Sequence, residues 1–419
     1  MNIAIWGMGI SGVSALKYLA TTDHNLYVIN DGPVENWVFA EQILKSIPKE
    51  KCISEDKLDP ELSLDQIILA PGIDRKKPLV KSFIDRGIEV ISEIELAYRH
   101  IKIPIVAITG TNGKTTTATM MELAFSKTGK KVFLGGNIGV PFCDILLDDT
   151  KYDLAVLELS SFQLESIKDF RANVGIILNI TESHMERYHQ FKDYAEAKLN
   201  IVKNQQEGDL FICPVKYLGT KTEATKSCIA KIRGLDFSHS KLIGEHHKEN
   251  LFCIEKSLEH FGVKNSTEIL QELVNEFSGV KFRLQYEGEH KGLVFINDGK
   301  STNIDATMSA IKTFDETELY LILGGKLRTN DISFINQLDE FEINAIYCFG
   351  EAGPRLSKEL SVNFKTVICK NLEEVFEKIK KDISVGTILF SPAFPSFDLY
   401  SNYVERGEHF KKLVNSLSN

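Results

Sequence analysis

The chain has 419 residues, more than one hydrophobic core of about 250 to 300 residues can organise, so two or three domains are expected. Hydrophobic residues make up 43% and charged residues 26%, an ordinary balance for a globular protein that argues against disordered, collagen-like and membrane-embedded classes. The formal net charge of −9 argues against a general attraction to nucleic acid or anionic lipid, so any anionic ligand must be met by local donors.

Seven cysteines are scattered along the chain without the paired spacing of a zinc or redox site, which predicts reduced thiols that mostly fill the core. The N-terminus has no basic segment ahead of its apolar run, and no apolar run approaches the about 18 residues that span a bilayer. We therefore expect a cytoplasmic protein with neither nucleic acid nor membrane as a partner.

Short apolar runs alternate with helical segments along the chain, which is the pattern of βαβ units around parallel sheets and predicts an α/β fold. Three groups of strands can be separated: 3–7, 26–30 and 67–72; then 103–110, 154–161 and 174–181; then 293–300, 319–325, 345–350 and 387–394. The polar turns that follow these strands lie where ligands bind in open α/β sheets. The segment from about 205 to 260 is rich in lysine and glutamate, which is typical of solvated surface.

The first group opens with GMGISG at 7–12, which matches GxGxxG between a strand and a helix. Asp31 follows Gly7 by 24 residues, at the end of the next strand. Glycines there permit a tight turn against a diphosphate, and the acid can accept a ribose hydroxyl. The motif alone is a weak indication of the ligand, because three explanations fit it: a nicotinamide dinucleotide, another nucleotide diphosphate, or a turn needed only for packing.

The second group opens with ITGTNGKTTT at 108–117, a compressed phosphate loop of the form GxxGK[ST]. Gly110 stands three residues before Gly113, where the common P-loop has five. Backbone amides at a helix N-terminus can still surround phosphate oxygens, while Lys114 reaches the terminal phosphates and Thr115 binds Mg²⁺. The apolar strand before the loop and the helix after it favour a phosphate site over a chance match.

Two more segments of this group carry candidate ligands. ELSSFQLE places Glu158 at a strand end, where a carboxylate opposite a phosphate loop can bind Mg²⁺. A solvent-facing acid that caps the next helix is the alternative. His184 and Lys198 follow the next strand, and both are ordinary surface residue types. A lysine near metal and phosphate either neutralises charge or is carbamylated into a metal ligand, and the sequence does not choose between the two.

The third group contains NDGKSTN at 297–303, with Asp298, Lys300 and Thr302. The acid suits a ribose or a metal-bound water and the lysine suits a phosphate or a carboxylate, although an ordinary Asp-Gly turn is the alternative. SPAFPSFD at 391–398 adds Ser396 and an aromatic lining, which is consistent with a small polar ligand.

Taken in order, GTNGKTTT, ELSSFQLE, NITESHMERY, NDGKSTN, LILGG and SPAFPSFD resemble the motifs of the Mur ligase family of peptidoglycan synthesis. The resemblance runs over nearly the whole chain and is weakest between 205 and 240. It implies three domains, a Rossmann-like domain for a uridine nucleotide at 1–92, a P-loop-type central ATPase domain at 93–279 and a Rossmann-like domain for an amino acid at 280–419.

The resemblance also implies ATP-driven amide synthesis through an acyl phosphate, with two Mg²⁺ ions. ELSSFQLE and SPAxxSxD are most similar to members that add D-glutamate to UDP-N-acetylmuramoyl-L-alanine, and a monomer is expected. Another amide ligase of the same superfamily, such as a different Mur ligase or a folylpolyglutamate synthase, is the nearest alternative. A nucleotide-binding sensor without catalysis is a more distant one.

Residue roles are implied by the same motif match. The residues implied to bind ATP are Gly110, Thr111, Asn112, Gly113, Lys114, Thr115, Thr116, Asn250, Arg283 and Asp298. One Mg²⁺ would be held by Thr115 and Glu158 and the other by His184 and a carbamylated Lys198; Lys114, His184 and Lys198 are the implied catalytic residues. The UDP-linked substrate would meet Asp31, Gly72, Asn137, Ser160 and Gln163, and D-glutamate would meet Lys300, Thr302, Arg328, Ser396, Phe397 and Tyr403.

Three positions depart from the family pattern. Pro33 stands soon after Asp31, where a basic residue is common, and Phe282 replaces a histidine that commonly precedes the Arg283 position. The lysine expected after LILGG is shifted: GGKLR supplies Lys326 and Arg328, and we assign its role to Arg328. A guanidinium can bind the side-chain carboxylate of glutamate through two hydrogen bonds, so this change keeps the charge and alters the geometry.

Overall fold

The computed structural model describes residues 1–185, 187–188, 190–238, 240, 242, 244–302, 304–314, 318–327 and 332–418; at 305, 333, 334 and 418 only the backbone is described. The chain divides into two compact units. The first comprises Met1–Leu235 and Lys248–Leu273, and the second comprises Asp236–His247 and Val274–Asn419. Two parallel sheets lie in the first unit and a third, mainly parallel sheet lies in the second, so the predicted α/β fold with three sheet-containing domains is confirmed.

The first sheet has five parallel strands in the order β3-β2-β1-β4-β5. The two central strands, β1 and β4, are buried on both faces over almost their whole length, as continuous apolar runs in parallel sheets require. The strands are β1 Asn2–Trp6, β2 Asn25–Asn30, β3 Cys52–Ser54, β4 Gln66–Leu69 and β5 Glu89–Ser92. The helices around them are α1 Ile10–Leu19, α2 Ala40–Ser46, α3 Pro78–Asp85 and α4 Glu93–Tyr98.

The second sheet has six parallel strands in the order β11-β10-β9-β6-β8-β7. The strands are β6 Ile105–Thr109, β7 Val132–Gly136, β8 Leu154–Glu158, β9 Val174–Ile177, β10 Leu210–Cys213 and β11 Thr225–Cys228. The helices that follow in the chain are α5 Lys114–Ser126, α6 Ser161–Leu164, α7 Phe191–Leu199, α8 His246–His260 and α9 Ser266–Glu276. Strand β6 has neighbours on both sides, so the loop after it opens between the ends of β8 and β9.

The third sheet has the order β12-β13-β17-β14-β15-β16, and β12 is antiparallel to β13. The strands are β12 Gln285–His290, β13 Leu293–Asn297, β14 Leu319–Gly324, β15 Ala345–Phe349, β16 Thr366–Ile368 and β17 Gly386–Ala393. The helices are α10 Ile304–Ile311, α11 Gly353–Leu360, α12 Leu372–Asp382 and α13 Tyr403–Asn415.

The expectation of solvated surface between 205 and 260 is wrong. Strand β10 is buried along its length, and α8 buries Leu251, Ile254 and Leu258. The cysteines are all free thiols and five of the seven are buried, as predicted. Among the helices formed by the described residues, none combines the length and the apolar composition that a membrane span needs.

Candidate active site

The phosphate loop predicted at 110–113 joins β6 to α5. Gly113 has a φ of +83°, a conformation that glycine adopts without strain. At Gly110 a Cβ would lie 3.2 Å from the Cβ of Leu178 and 3.3 Å from the carbonyl oxygen of Asn179, so the loop lies close against the segment after β9. The first-turn amides of α5, at residues 114–116, have no acceptor within the helix, which is the arrangement that binds phosphate.

Asn179 holds this loop in place through hydrogen bonds, a role that no sequence pattern predicted. Its Oδ1 accepts hydrogen bonds from the amides of Thr111 (3.1 Å) and Asn112 (2.9 Å), while its Nδ2 donates to the carbonyl of Asn112 (3.1 Å). Two loop amides are therefore engaged by protein, and the amides at the start of α5 are better placed to meet a ligand.

Two lysines meet at one carbonyl of the loop. Lys114 Nζ donates to the carbonyl oxygens of Gly110 (3.0 Å) and Thr111 (2.9 Å), and Lys198 Nζ donates to that of Gly110 (2.9 Å). Lys198 is only 2% exposed. Burial lowers its pKa to about 7, with repulsion from Lys114 acting in the same direction and Glu158 opposing it. Lys198 therefore has an amine that loses its proton near neutral pH.

Glu158 lies at the end of β8 and is buried beside Thr115. Its Oε2 accepts a hydrogen bond from the Thr115 hydroxyl (2.8 Å), and its Oε1 accepts one from Asn137 Nδ2 (2.8 Å). Asn137 follows β7 and Thr115 lies in α5, so residues from a helix and from the ends of two strands meet in one polar cluster. The alternative of a solvent-facing Glu158 is excluded by this burial.

His184 is exposed and has a φ of +58°, which is uncommon for a residue with a side chain. Its ring lies 5.1 Å from that of Phe162 and 6.2 Å from that of Tyr194, centroid to centroid. Lys198 Nζ lies 4.7 Å from the centroid of the same Tyr194 ring. The structure thus brings the two residues predicted to hold the second Mg²⁺, His184 and Lys198, to one tyrosine.

Ser160 and Gln163 form a capping box at the start of α6. The Ser160 hydroxyl accepts a hydrogen bond from the Gln163 amide (3.2 Å), and Gln163 Oε1 accepts one from the Ser160 amide (2.9 Å). Gln163 is buried. Both predicted substrate-binding side chains therefore have a structural role in this short helix as well.

The GMGISG turn has the predicted geometry. Gly7 has a φ of +97°, and its amide donates to the carbonyl of Ile29 (2.8 Å). A Cβ at Gly12 would lie 2.0 Å from the carbonyl oxygen of Gly7, so only glycine fits where α1 crosses the turn. Asp31 is exposed just past the end of β2, and Gly72 is exposed in the loop after β4.

Asn250 of α8 faces the phosphate loop. Its side-chain atoms lie 3.6 and 3.9 Å from the position that a Cβ would take at Gly113. Its Nδ2 is buried and makes no hydrogen bond among the described residues. A buried donor without an acceptor is costly, so this atom is suited to meet a ligand at the loop.

In the second unit, Asp298 is buried just past β13. Its Oδ2 accepts hydrogen bonds from the hydroxyls of Ser301 and Ser391, and its Oδ1 accepts one from the amide of Leu284 (3.2 Å). Burial raises its pKa to about 6, while these hydrogen bonds and nearby Arg283 act the other way. The Asp-Gly turn is therefore anchored by a carboxylate that organises its own loop.

Phe282, which departs from the family pattern, has a packing role. It is buried with a φ of +59°, and a Cβ at Gly407 would lie 2.4 Å from its ring. The ring fills the space above α13, and the neighbouring Arg283 is half-buried.

The residues predicted to bind the amino acid follow adjacent strands of the third sheet. Lys300 and Thr302 follow β13, Ser396 and Phe397 follow β17, and Tyr403 begins α13. Ser396 is buried, whereas the Phe397 side chain is 61% exposed. Arg328 lies outside the described residues.

Arg406 of α13 is another residue that the sequence analysis missed. It is fully buried, and its guanidinium donates to the carbonyls of Gly299 (3.1 Å), Phe394 (2.9 Å) and Gly324 (3.4 Å). These carbonyls belong to the loops after β13 and β17 and to the end of β14. One side chain therefore links three segments around the predicted amino-acid site.

Comparison with known proteins decides the family. The family model for the Mur ligase middle domain matches residues 108–264, and the model for the Mur ligase MurD-like N-terminal domain matches residues 1–92. The "UDP-N-acetylmuramoylalanine--D-glutamate ligase" of Alkaliphilus metalliredigens is 33% identical over 99% of this chain and 98% of its own length. The chain belongs to the Mur ligase family.

Solved structures of other Mur ligases share the fold of this Mur ligase. UDP-N-acetylmuramate-alanine ligase MurC from Thermotoga maritima has a TM-score of 0.55 at 19% identity, over 99% of both chains. MurF ligase from the same organism, solved in complex with ADP, has a TM-score of 0.56 at 16% identity, over 86% of this chain and 97% of that one. At these identities the likeness concerns the fold alone.

Proposed function

We propose that this Mur ligase uses ATP to join D-glutamate to UDP-N-acetylmuramoyl-L-alanine, releasing ADP and phosphate. The choice of substrates rests on relatives that are 31–34% identical over 99% of the chain and carry the name of that reaction. The observation that carries the chemistry is the cluster of Lys114, Lys198, Thr115 and Glu158 around the loop after β6.

A carboxylate is a poor acylating agent, because its negative charge repels an amine and its oxygen leaves badly. Phosphorylation removes both obstacles: the carboxylate oxygen attacks the γ-phosphorus of ATP and ADP leaves, giving an acyl phosphate. The amine of D-glutamate then attacks the carbonyl carbon and phosphate leaves. Lys114 and the first-turn amides of α5 are placed to bind the terminal phosphates and to offset the charge that builds up in transfer.

The residues at Glu158 fit Mg²⁺. A buried carboxylate and a hydroxyl 2.8 Å apart are the hard oxygen donors that this ion prefers. Bound there, Mg²⁺ would neutralise phosphate charge. Among the described residues no three His, Cys, Asp or Glu side chains gather into a metal site, so Thr115 and Glu158 would share the ion with phosphate and water oxygens.

We propose that Lys198 is carbamylated and, with His184, holds a second ion. An ammonium cannot bind a cation, whereas a neutral amine can add to CO₂ and become a carboxylate-like ligand. Burial of Lys198 favours the neutral amine. We expect Lys198→Ala to lose most activity and to regain part of it with acetate or propionate, measured as phosphate release. Rescue of Lys114→Ala by the same acids would show that the effect is not specific to Lys198.

The remaining assignments are also proposals. Asn250 would contact the nucleotide, since its free donor faces Gly113. Arg283 and Asp298 are also assigned to ATP. The UDP-linked substrate is assigned to Asp31, Gly72, Asn137, Ser160 and Gln163, and D-glutamate to Lys300, Thr302, Arg328, Ser396, Phe397 and Tyr403. The domain boundaries at 92 and 279, the monomeric state and the cytoplasmic location stay predictions.

The test is a substrate panel on purified full-length protein. With ATP, Mg²⁺ and UDP-N-acetylmuramoyl-L-alanine, phosphate release should require D-glutamate. Parallel reactions contain L-glutamate, L-alanine or no amino acid, and Lys114→Ala is the inactive control. Turnover with another amino acid but not with D-glutamate would contradict the proposed substrate, and the assignment to the family would stand. Nucleotide binding without turnover on any acceptor would contradict the proposed reaction and favour a nucleotide-binding sensor without catalysis.

A further inference from the structure

Arg187 lies three residues after His184 and makes contacts that the proposed chemistry does not use. Its Nη1 donates to the carbonyl of Pro71 (2.7 Å), and its Nη2 donates to the carbonyl of Ile73 (3.3 Å) and to Glu165 Oε2 (2.8 Å). The guanidinium carbon lies 4.1 Å from the centroid of the Phe162 ring. The side chain is 14% exposed, so these contacts are partly shielded from water.

The three segments that Arg187 joins all carry residues of the proposed site. Pro71 and Ile73 flank Gly72, in the loop after β4 of the first sheet. Phe162 and Glu165 belong to the segment that begins at Glu158, in the second sheet. The amide of Arg187 itself donates to the carbonyl of His184 (3.0 Å), which ties the side chain to the turn that presents that histidine.

Tyr188 reinforces the same junction. Its hydroxyl donates to Glu165 Oε1, and its ring stacks on Phe162 with centroids 5.7 Å apart. Both oxygens of Glu165 are therefore occupied by consecutive residues of the His184 turn. The turn is fixed to α6 by two side chains, and Arg187 also extends to the Gly72 loop.

We propose that Arg187 is a positioning residue that sets the Gly72 loop relative to the His184 turn, and thereby aligns the UDP-linked substrate with the phosphate loop. This inference rests on the proposed function, because it takes Gly72 as a contact of that substrate. The chemistry requires arginine: a planar guanidinium can donate in several fixed directions, while a lysine ammonium is a point charge that cannot span two carbonyls and a carboxylate.

The kinetic test compares Arg187→Lys with Arg171→Lys. Arg171 is a matched control, since its Nε and Nη2 form a two-point pair with Asp209 (2.7 and 2.9 Å) in the same unit and it has no assigned role in the site. We expect Arg187→Lys to raise KM for UDP-N-acetylmuramoyl-L-alanine about tenfold, the size of effect that follows loss of hydrogen bonds to a charged group, with KM for ATP unchanged. Arg171→Lys should change neither KM, even if it lowers Tm.

A second measurement needs no activity. Hydrogen exchange of the free full-length protein should become faster in peptides covering residues 70–76 in Arg187→Lys, and should stay unchanged there in Arg171→Lys. Should Arg187→Lys fail to fold, Glu165→Gln is expected to give a smaller change in the same peptides.

Unchanged exchange at 70–76, or an equal rise of KM for both substrates, would overturn the positioning role. If the wild-type protein shows no ligase activity, the proposed function fails, and the exchange result still decides whether Arg187 fixes the Gly72 loop.

Discussion

Asn250 illustrates how a single residue can trade stability for binding. Its Nδ2 is buried near Gly113 and lacks a partner among the described residues. A buried donor left unpaired costs about 1 to 3 kcal/mol, so the similarly shaped Asn250→Leu should raise the free energy of unfolding of the ligand-free protein by about 1 kcal/mol. The same variant should weaken ATP binding, because the ligand loses that donor. Denaturant unfolding tests the expected gain in stability, and ATP titration tests the expected loss of affinity. A variant that loses both stability and affinity would contradict this explanation of Asn250.

The buried carboxyl group of Glu93 leads us to expect that the stability of the protein depends on pH. Glu93 begins α4 almost fully buried; its Oε1 accepts a hydrogen bond from the amide of Cys143, and its Oε2 has no partner among the described residues. Burial first, and nearby Asp144 to a lesser degree, raise its pKa from 4.5 to about 7. The folded state therefore holds a proton that the unfolded chain releases, so the stability that this group contributes is full below pH 4.5 and is lost as pH rises through about 7.

Glu93→Gln tests this sign. The amide imitates the protonated acid and keeps the acceptor for Cys143, so the variant should have a higher Tm than the wild type at about pH 8 and a similar Tm at about pH 5. Glu95→Gln is the neighbouring control. Glu95 accepts hydrogen bonds from the amides of residues 168, 169 and 170, so its variant should be less stable at both pH values. An equal difference at both pH values for Glu93→Gln would contradict the assignment.

At the scale of elements, the start of α1 depends on one glycine and tolerates change at another. A Cβ at Gly12 would lie 2.0 Å from the Gly7 carbonyl, whereas a Cβ at Gly9 would meet nothing within 4 Å, and Gly9 has an ordinary φ of −80°. Gly12→Ala should therefore destabilise by about 1 to 3 kcal/mol, the usual cost of overpacking, with Gly9→Ala nearly neutral. Thermal unfolding of the two variants without ligand measures the difference. An equal loss of stability in both would mean that neighbouring atoms move to relieve the crowding at Gly12.

The buried strands could be predicted from sequence because parallel strands covered on both faces are unbroken apolar runs, as in β8 and β14. Short edge strands could not. Strand β11, with the sequence TKSC, is largely exposed and is held by backbone hydrogen bonds to β10 that leave no apolar pattern. The amphipathic helix α8 was missed for a related reason, since its buried residues are diluted by lysines and glutamates on the solvent side.

The residues of the candidate site likewise divide into those that could be predicted from the sequence and those that could not. Lys114, Thr115 and Glu158 could be predicted because their chemistry requires particular residue types beside a strand end. Asn179, Arg187 and Arg406 could not, because they act on backbone carbonyls or amides far away in the sequence: Arg187 meets Pro71 across 116 residues, and Asn179 meets Asn112 across 67. A backbone acceptor can belong to any residue, so no motif identifies such a partner.

At the scale of the whole molecule, each of the three sheets presents its candidate residues at the carboxyl ends of its strands. Gly7 and Asp31 follow strands of the first sheet, Gly110 follows one of the second, and Lys300 follows one of the third. The proposed reaction has three reactants, a UDP-linked carboxylate, ATP and an amine. One candidate edge per sheet therefore matches the number of reactants in the proposed reaction.

The proposed reaction through an acyl phosphate predicts the path of a single oxygen atom. If the UDP-linked substrate carries heavy oxygen in its alanine carboxylate, the oxygen that attacks the γ-phosphorus leaves later with phosphate, because the amine breaks the bond between carbon and that oxygen. We therefore expect one heavy oxygen in each released phosphate and one retained in the amide product, measured by mass spectrometry. Unlabelled substrate in water enriched in heavy oxygen is the control, and its phosphate should stay unlabelled. Released phosphate without heavy oxygen, with the lost carboxylate oxygen found in water instead, would mean that the carboxylate is not activated by phosphorylation in this protein.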